Sequence, residues 1–165
     1  MVRFMRRNYG DYFCVSVAGS PEGHPNSIEE VSLKEIKLSP GEAHRAHVRK
    51  DASLDQELVT VCRDVSFERE MAYLKEKVDA GADCIITQMF WDPQVYFDFV
   101  DVCRRKGILV PVVPGIMCPN AFGDLLCMTV LCKIRATESM MTAAERANTS
   151  NEAFRAWAIG LLKRA

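Results

Sequence analysis

The hydrophobic pattern along the chain contains three short apolar runs of strand length. They span Asp11–Ala18, Cys84–Phe90 and Ile108–Ile116. The runs lack polar alternation, which is typical of parallel strands that are buried on both faces. Pro111 is expected at the start of the third strand, because a proline inside it would remove a ladder hydrogen bond.

Segments with helical signals separate and follow these runs. One helix is predicted to begin at Ser66, a good N-cap, and to end at Gly81. A second is predicted to begin behind Asp92-Pro93 and to stop at Gly107. The other predicted helices are a short basic one ending near Arg7, segments at about Phe122–Leu131 and Thr137–Ala147, and a last one behind the capping box Thr149–Glu152.

The alternation of strands and helices predicts an α/β fold with parallel strands joined by right-handed crossovers. The doubly wound sheet and the TIM (β/α)8 barrel both use this order. Three strands cannot close a barrel that requires eight. We therefore expect a partial barrel, completed either by further sequence or by a partner chain.

The segment from Asn26 to about Val65 breaks this pattern with mixed charge and scattered apolar residues. A structureless connection of this length is uncommon inside a compact domain. We interpret residues 1–165 as one partial catalytic domain with an insertion at 26–65. The insertion is expected to be exposed, poorly ordered and without a contribution to the sheet.

Composition narrows the function classes. With 165 residues, 48% of them hydrophobic, the chain can bury a real core. The formal net charge is -1, so the chain lacks the net positive charge that would attract nucleic acid or an acidic membrane. A small-molecule substrate is therefore favoured. Seven cysteines, mostly in apolar runs, favour a reducing compartment, and no run has the length of a membrane span, so a cytoplasmic location is expected.

Two common types of site are not indicated. The sequence has neither a G-x-G-x-x-G turn after a strand nor a P-loop. Zinc could be proposed from His44, His47 and Cys62, or from Cys118, Cys127 and Cys132, but no pair of cysteines has C-x-x-C spacing. No metal site is therefore expected.

Polar residues follow the predicted strands, at the end where a barrel places its active site. They are Ser20, Glu22 and His24 after the first strand, Thr87, Gln88 and Asp92 at the second, and Asn120 after the third. Turn and cap roles explain several of them equally well, Asp92 above all. Gln88 ends an otherwise apolar run, so its amide needs partners, which a ligand or the neighbouring backbone could supply.

Several segments together resemble the methylenetetrahydrofolate reductase family. They are Asn8–Phe13, Val17–Pro25, Leu74–Asp83, Ile85–Phe90, Val113–Met117 and Asn151–Ala153. The resemblance implies an FAD-containing TIM barrel that reduces 5,10-methylenetetrahydrofolate to 5-methyltetrahydrofolate with NADH or NADPH. This chain would hold strands five to seven, with the family's general acid outside it and a far shorter link in place of the insertion.

The same resemblance assigns individual residues. FAD contacts are implied at Ala18, Ser20, His24, Glu70 and Lys77, where Ser20 stands in place of the usual tyrosine. Gln88 matches the glutamine that hydrogen-bonds the folate pterin. Cys118 replaces a usual proline. A folate substrate and a homo-oligomer at full length are expected; the alternative is a truncated, non-catalytic remnant or interaction module of the same barrel.

Overall fold

The structure is a computed structural model that describes residues 1–51 and 56–162. In chain order its elements are α1 (Val2–Tyr9), β1 (Ser16–Gly19), a 3-10 turn (Pro25–Ser27), β2 (Ile28–Ser32), α2 (Pro40–Arg45), β3 (His47–Asp51), β4 (Gln56–Cys62), α3 (Asp64–Asp79), β5 (Cys84–Met89), α4 (Pro93–Arg105), β6 (Val112–Gly115), α5 (Phe122–Cys132), α6 (Glu138–Ala147) and α7 (Asn151–Leu162). None of the described helices is long and apolar enough to cross a membrane.

The three predicted strands form one parallel sheet in the order β1-β5-β6. Ala18 pairs with Ile86 of the central strand, which pairs in turn with Val113. This confirms the predicted α/β fold, and the sheet is consistent with part of a TIM barrel. The first and third strands are shorter than predicted: before Ser16, the amide of Val15 donates to the Asp83 carboxylate (2.6 Å) instead of entering the ladder.

The two faces of the parallel sheet differ in burial. One face carries Val17 and Ile85, which pack with Phe67, Leu74 and Phe99 in a buried core under α3 and α4. The opposite face carries Ile86 and Val113, which remain 45% and 44% exposed. Since side chains alternate along a strand, Ala18 and Gln88 belong to this open face as well.

Most predicted helix boundaries are confirmed. Asp92 caps α4, since its Oδ1 accepts the amide of Gln94 at 2.9 Å, and Gly81 and Gly107 follow the ends of α3 and α4. The last helix is capped by Ser150, whose Oγ accepts the amide of Ala153 (3.1 Å), one residue later than predicted.

The start of α3 differs from the prediction because a distant residue caps it. The helix begins at Asp64 rather than behind Ser66. Glu42 of α2 accepts the Asp64 amide through Oε1 at 3.0 Å, and the same oxygen pairs with Arg63 at 2.9 Å. Glu42, which belongs to the inserted segment, thus accepts a hydrogen bond from a backbone amide at the helix N-terminus that has no partner within the helix.

The inserted segment forms a second sheet, antiparallel, in the order β2-β4-β3. Val59, Val61 and Cys62 of the central strand are almost completely buried. For the described residues, the expectation of an exposed and poorly ordered insertion is therefore wrong, while residues 52–55 lie outside the described part. None of its described strands joins the parallel sheet.

Candidate cofactor site

The loop after β1 is held in place from two sides. The amide of His24 donates to Glu70 Oε2 of α3 at 2.8 Å, and His24 Nδ1 accepts the Asn26 amide at 3.2 Å. Gly23 has a φ of +105° and lies against Cys62 of β4, so closely that a Cβ would approach the Cys62 side chain to 2.5 Å. Any other residue at this position would clash with Cys62, so Gly23 allows the loop to pack closely against β4.

A cleft of about 260 Å³ lies between this loop and α3. It is lined by all five predicted cofactor residues, Ala18, Ser20, His24, Glu70 and Lys77. The other residues of its wall are Gly19, Ser27, Met71, Tyr73, Leu74 and Phe99. None of these six was predicted as a site residue, although Tyr73 precedes Lys77 by one helical turn and so shares its face of α3.

Lys77 supplies the positive charge of the cleft. Its Nζ donates to the carbonyl oxygen of Ala18 at 2.8 Å and lies 5.0 Å from the centre of the Tyr73 ring. Burial lowers the pKa of Lys77 from its ordinary value. Among the described residues, the hydrogen-bond partner of this partly desolvated ammonium is a neutral carbonyl, so it gains from a nearby anion, which makes Lys77 suited to a phosphate group. Lys77 also lines a neighbouring cavity of about 350 Å³ beside β1.

Glu70 offers an unused acceptor at the same cleft. Its Oε2 is occupied by the His24 amide, whereas its Oε1 is buried and has no hydrogen-bond partner among the described residues. Leaving a buried carboxylate oxygen unpaired costs free energy. A hydroxyl donor on a bound molecule would remove that cost, so the cleft fits a ligand that carries both hydroxyl and phosphate groups, as FAD does.

Gln88 lies outside this cleft, near the carboxyl end of β5. It is half-buried, and its Oε1 accepts the amide of Met89 at 3.0 Å. This short local bond leaves the role of the side chain toward a ligand as a prediction. Its neighbour Thr87 is structural, because the buried Oγ1 accepts the amide of Gly115 at 2.9 Å and ties β5 to β6.

Sequence reasoning named Glu22 and Asp92 as polar residues after the strands but missed the ionic cluster that they form with Arg135 around the buried Glu22. Glu22 is buried, its Oε1 accepts the backbone amide of Arg135 at 2.9 Å, and the Arg135 guanidinium pairs with Asp92. Burial raises the pKa of Glu22 to about 7, against the lowering effect of Arg135. The cluster joins the loops after β1 and β5 to the connection between α5 and α6, which contains Arg135. No sequence pattern in that connection predicted a role for Arg135.

The sequence was compared with those of known proteins and families. The sequence model described as methylenetetrahydrofolate reductase matches residues 1–164. The chain belongs to the methylenetetrahydrofolate reductase family. This confirms the resemblance found in the sequence, and the cleft described above therefore lies in a member of that family.

Individual relatives support the same family. The chain is 37% identical over 161 residues to a probable methylenetetrahydrofolate reductase (NADH) of Oryza sativa subsp. japonica, which covers 98% of the chain and 22% of the rice protein. It is 32% identical over 117 residues to a probable methylenetetrahydrofolate reductase (NADPH) of Caenorhabditis elegans, and this match covers 71% of the chain and 12% of the nematode protein. The chain thus spans less than a quarter of either relative.

Metal binding finds no support in the described part of the chain. There, no group of three or more His, Cys, Asp or Glu side chains could hold a metal ion. The features described for the cleft are one ammonium, one carboxylate oxygen without a partner among the described residues, and the backbone of the loop after β1.

Proposed function

We propose that this chain forms one wall of the FAD site, and part of the folate site, of a protein that reduces 5,10-methylenetetrahydrofolate to 5-methyltetrahydrofolate. The observation that carries the proposal is the convergence of Ala18, Ser20, His24, Glu70 and Lys77 on one cleft. FAD, when bound, supplies the redox chemistry. The share of this chain is binding, orientation and electrostatics.

The two ionisable residues of the cleft have distinct roles in this proposal. Lys77 donates to a phosphate oxygen in place of the Ala18 carbonyl, and Glu70 Oε1 accepts from a sugar hydroxyl. A cleft of about 260 Å³ is smaller than typical complete ligand pockets of roughly 300–1,000 Å³. We therefore assign it to a sugar-phosphate portion of FAD rather than to the whole cofactor.

Gln88 is proposed to bind the pterin of the folate. It lies at the carboxyl end of β5 and on the open face of the parallel sheet, the same face as Ala18. Its amide carries one acceptor and one donor group side by side, which matches the adjacent donor and acceptor of a pterin edge. Binding would replace the local bond from the Met89 amide with bonds to the substrate.

The electron donor of the proposed reaction is NADH or NADPH. The rice relative is named for NADH and the nematode relative for NADPH. Self-association of the full-length protein belongs to the same proposal. The competing function, a non-catalytic remnant of the barrel, predicts that the cleft has lost its affinity for the cofactor.

Titration with FAD, followed by flavin fluorescence, tests the cofactor site in a chimera in which this chain replaces the matching segment of the rice relative, so that the other walls of the site are present. Saturable binding is expected, and Lys77→Ala should weaken it about 10- to 100-fold, which is the loss of one charge-assisted hydrogen bond of roughly 1.5–3 kcal/mol. Lys75→Ala is the matched control, because Lys75 lies on the same helix but binds Asp79 at 2.5 Å, away from the cleft. Absence of saturable binding, or equal weakening by both variants, contradicts the assignment.

A chimera tests the folate site, with this chain replacing the matching segment of the rice relative. Gln88→Glu should weaken folate binding and slow folate reduction by about 1–3 kcal/mol, since it disrupts a buried hydrogen bond. Oxidation of NADH by an artificial acceptor does not use the pterin contact and should change far less. If both half-reactions suffer equally, Gln88 is structural.

A further inference from the structure

The inserted segment and α4 enclose a second cavity, here called the insertion cavity. Its volume is about 290 Å³. Charged side chains of both signs line it, namely His44 and Arg45 of α2 and Asp98, Asp101 and Arg105 of α4. Among the described residues, Phe99 alone lines both this cavity and the cofactor cleft. The insertion cavity is therefore a separate candidate site, and one of its walls exists because of the insertion.

The charged residues of the cavity lie on two facing helices. In α2, Arg45 follows Gly41 of the cavity wall by four positions. In α4, Asp101 and Arg105 follow Asp98 by three and seven positions. Residues at spacings of three, four and seven share one face of a helix. The guanidinium of α2 thus lies on one wall of the cavity and the two carboxylates of α4 on another.

The Arg45 guanidinium is held in place and still has donors without partners. Its carbon lies 4.1 Å from the centre of the Phe67 ring, and its Nη2 donates to Asp64 Oδ1 at 2.5 Å. The Nε atom is buried and has no hydrogen-bond partner among the described residues. The Nη1 atom borders the wall at Gly41, where a Cβ would come within 3.6 Å of it. A carboxylate in the cavity would accept from these donors and offset the cost of a buried N–H without a partner.

The α4 wall offers carboxylate oxygens that are available to a ligand. Asp101 is exposed and forms no hydrogen bond or ion pair with the described residues. Asp98 accepts from Gln94 Nε2 through Oδ1 at 2.8 Å, which leaves its Oδ2 available. These two carboxylates balance the positive charges that line the same cavity. A ligand with negative charge alone therefore gains little, whereas a zwitterion pairs with both signs.

We propose that the insertion cavity binds a free α-amino acid with an apolar side chain. In the complex the ligand carboxylate accepts from Arg45, and the ligand ammonium donates to Asp98 and Asp101. The apolar side chain lies against Phe99 and Val102, which also line the cavity. A volume of about 290 Å³ is at the lower end of the roughly 300–1,000 Å³ that is typical of ligand pockets, which suits a molecule of this size.

Titration of the unmodified chain with L-leucine, followed in amide NMR spectra, tests the proposal. All residues of the cavity wall belong to this chain, so neither FAD nor another segment is needed. Saturable shifts are expected at the amides of Gly41 and Asp101. Isocaproate lacks the amino group of leucine and isopentylamine lacks its carboxylate. Each should bind at least about 10-fold more weakly than L-leucine, because each loses one charge-assisted hydrogen bond.

The variant Asp101→Asn separates the two charged ends of the ligand. It should weaken L-leucine binding about 10-fold and leave isocaproate binding unchanged, because only the ammonium uses this carboxylate. Asp11→Asn is the matched control, since Asp11 is exposed and does not line the cavity, and it should bind L-leucine like the unmodified chain. Absence of saturable shifts at Gly41 and Asp101 in the unmodified chain would overturn the proposal. So would isocaproate binding as tightly as L-leucine, since the cavity would then be an anion site.

Discussion

Glu22→Gln is expected to remove a pH dependence of stability that the buried ionic cluster creates. In the folded chain, burial raises the pKa of Glu22 from 4.5 to about 7, despite the amide and guanidinium of Arg135. A carboxyl in an unfolded chain has the ordinary value. Between these two values the native state therefore holds a proton that the unfolded state has released.

The sign and the size of the effect follow from this difference. The stability contributed by protonated Glu22 is fully present below a pH of about 4.5 and is lost as the pH rises through about 7. The difference between the two pKa values corresponds to a change of about 3 kcal/mol in the free energy of unfolding. Glutamine keeps an oxygen for the Arg135 amide and cannot ionise, so the variant should gain about 3 kcal/mol relative to the unmodified chain between about pH 4.5 and pH 8.

Urea unfolding followed by circular dichroism at a series of pH values measures this gain. Glu35→Gln is the control, because it removes the charge of an exposed carboxylate that lies outside the cluster. A difference between Glu22→Gln and the unmodified chain that does not change with pH would refute the reasoning. So would a relative loss for the variant as pH rises, since it would mean that Glu22 is ionised and stabilised by Arg135.

Two further measurements test the inserted sheet and its contact with the loop after β1. Gly23→Ala should lower the free energy of unfolding in urea by about 2–5 kcal/mol, because it combines a positive φ with a Cβ placed 2.5 Å from Cys62. The control is Gly10→Ala, which is also at positive φ but has open space around it and should lower the free energy of unfolding clearly less. The amides of Val59 and Val61 should exchange with deuterium as slowly as that of Ile85, since β4 is flanked by strands on both sides. Rapid exchange at both positions would contradict the packing described for the insertion.

The parts of the fold that follow from local signals could be predicted from the sequence. An apolar run such as Cys84–Phe90 specifies a buried strand by itself, and Asp92 followed by proline specifies a helix start within one turn of chain. The cofactor residues were different, since position alone did not separate them from turn residues. These residues were selected from the resemblance to the family, and the structure places all five of them on one cleft.

The features that escaped prediction depend on partners far apart in the sequence. Glu42 caps α3 from another element, which moves the helix start away from the best local cap at Ser66. The strand at Val59 and Val61 is apolar only in its centre, and its charged surroundings hid the antiparallel partners that bury it. Arg135 carries no local signal at all, because its role exists only once Glu22 and Asp92 are brought to it.

The register of the second sheet bears on how such a segment can arise in evolution. Ile28, the first residue of β2, pairs directly with Cys62, the last residue of β4. Opposite residues of an antiparallel pair have Cα atoms only about 4.5–5.5 Å apart. The segment therefore leaves and rejoins the domain at a single point, a geometry that allows it to be added or removed as a unit, although the cap that Glu42 supplies to α3 would be removed with it. Excision between these two positions, closed by a short turn, should accordingly yield a chain that retains the parallel sheet.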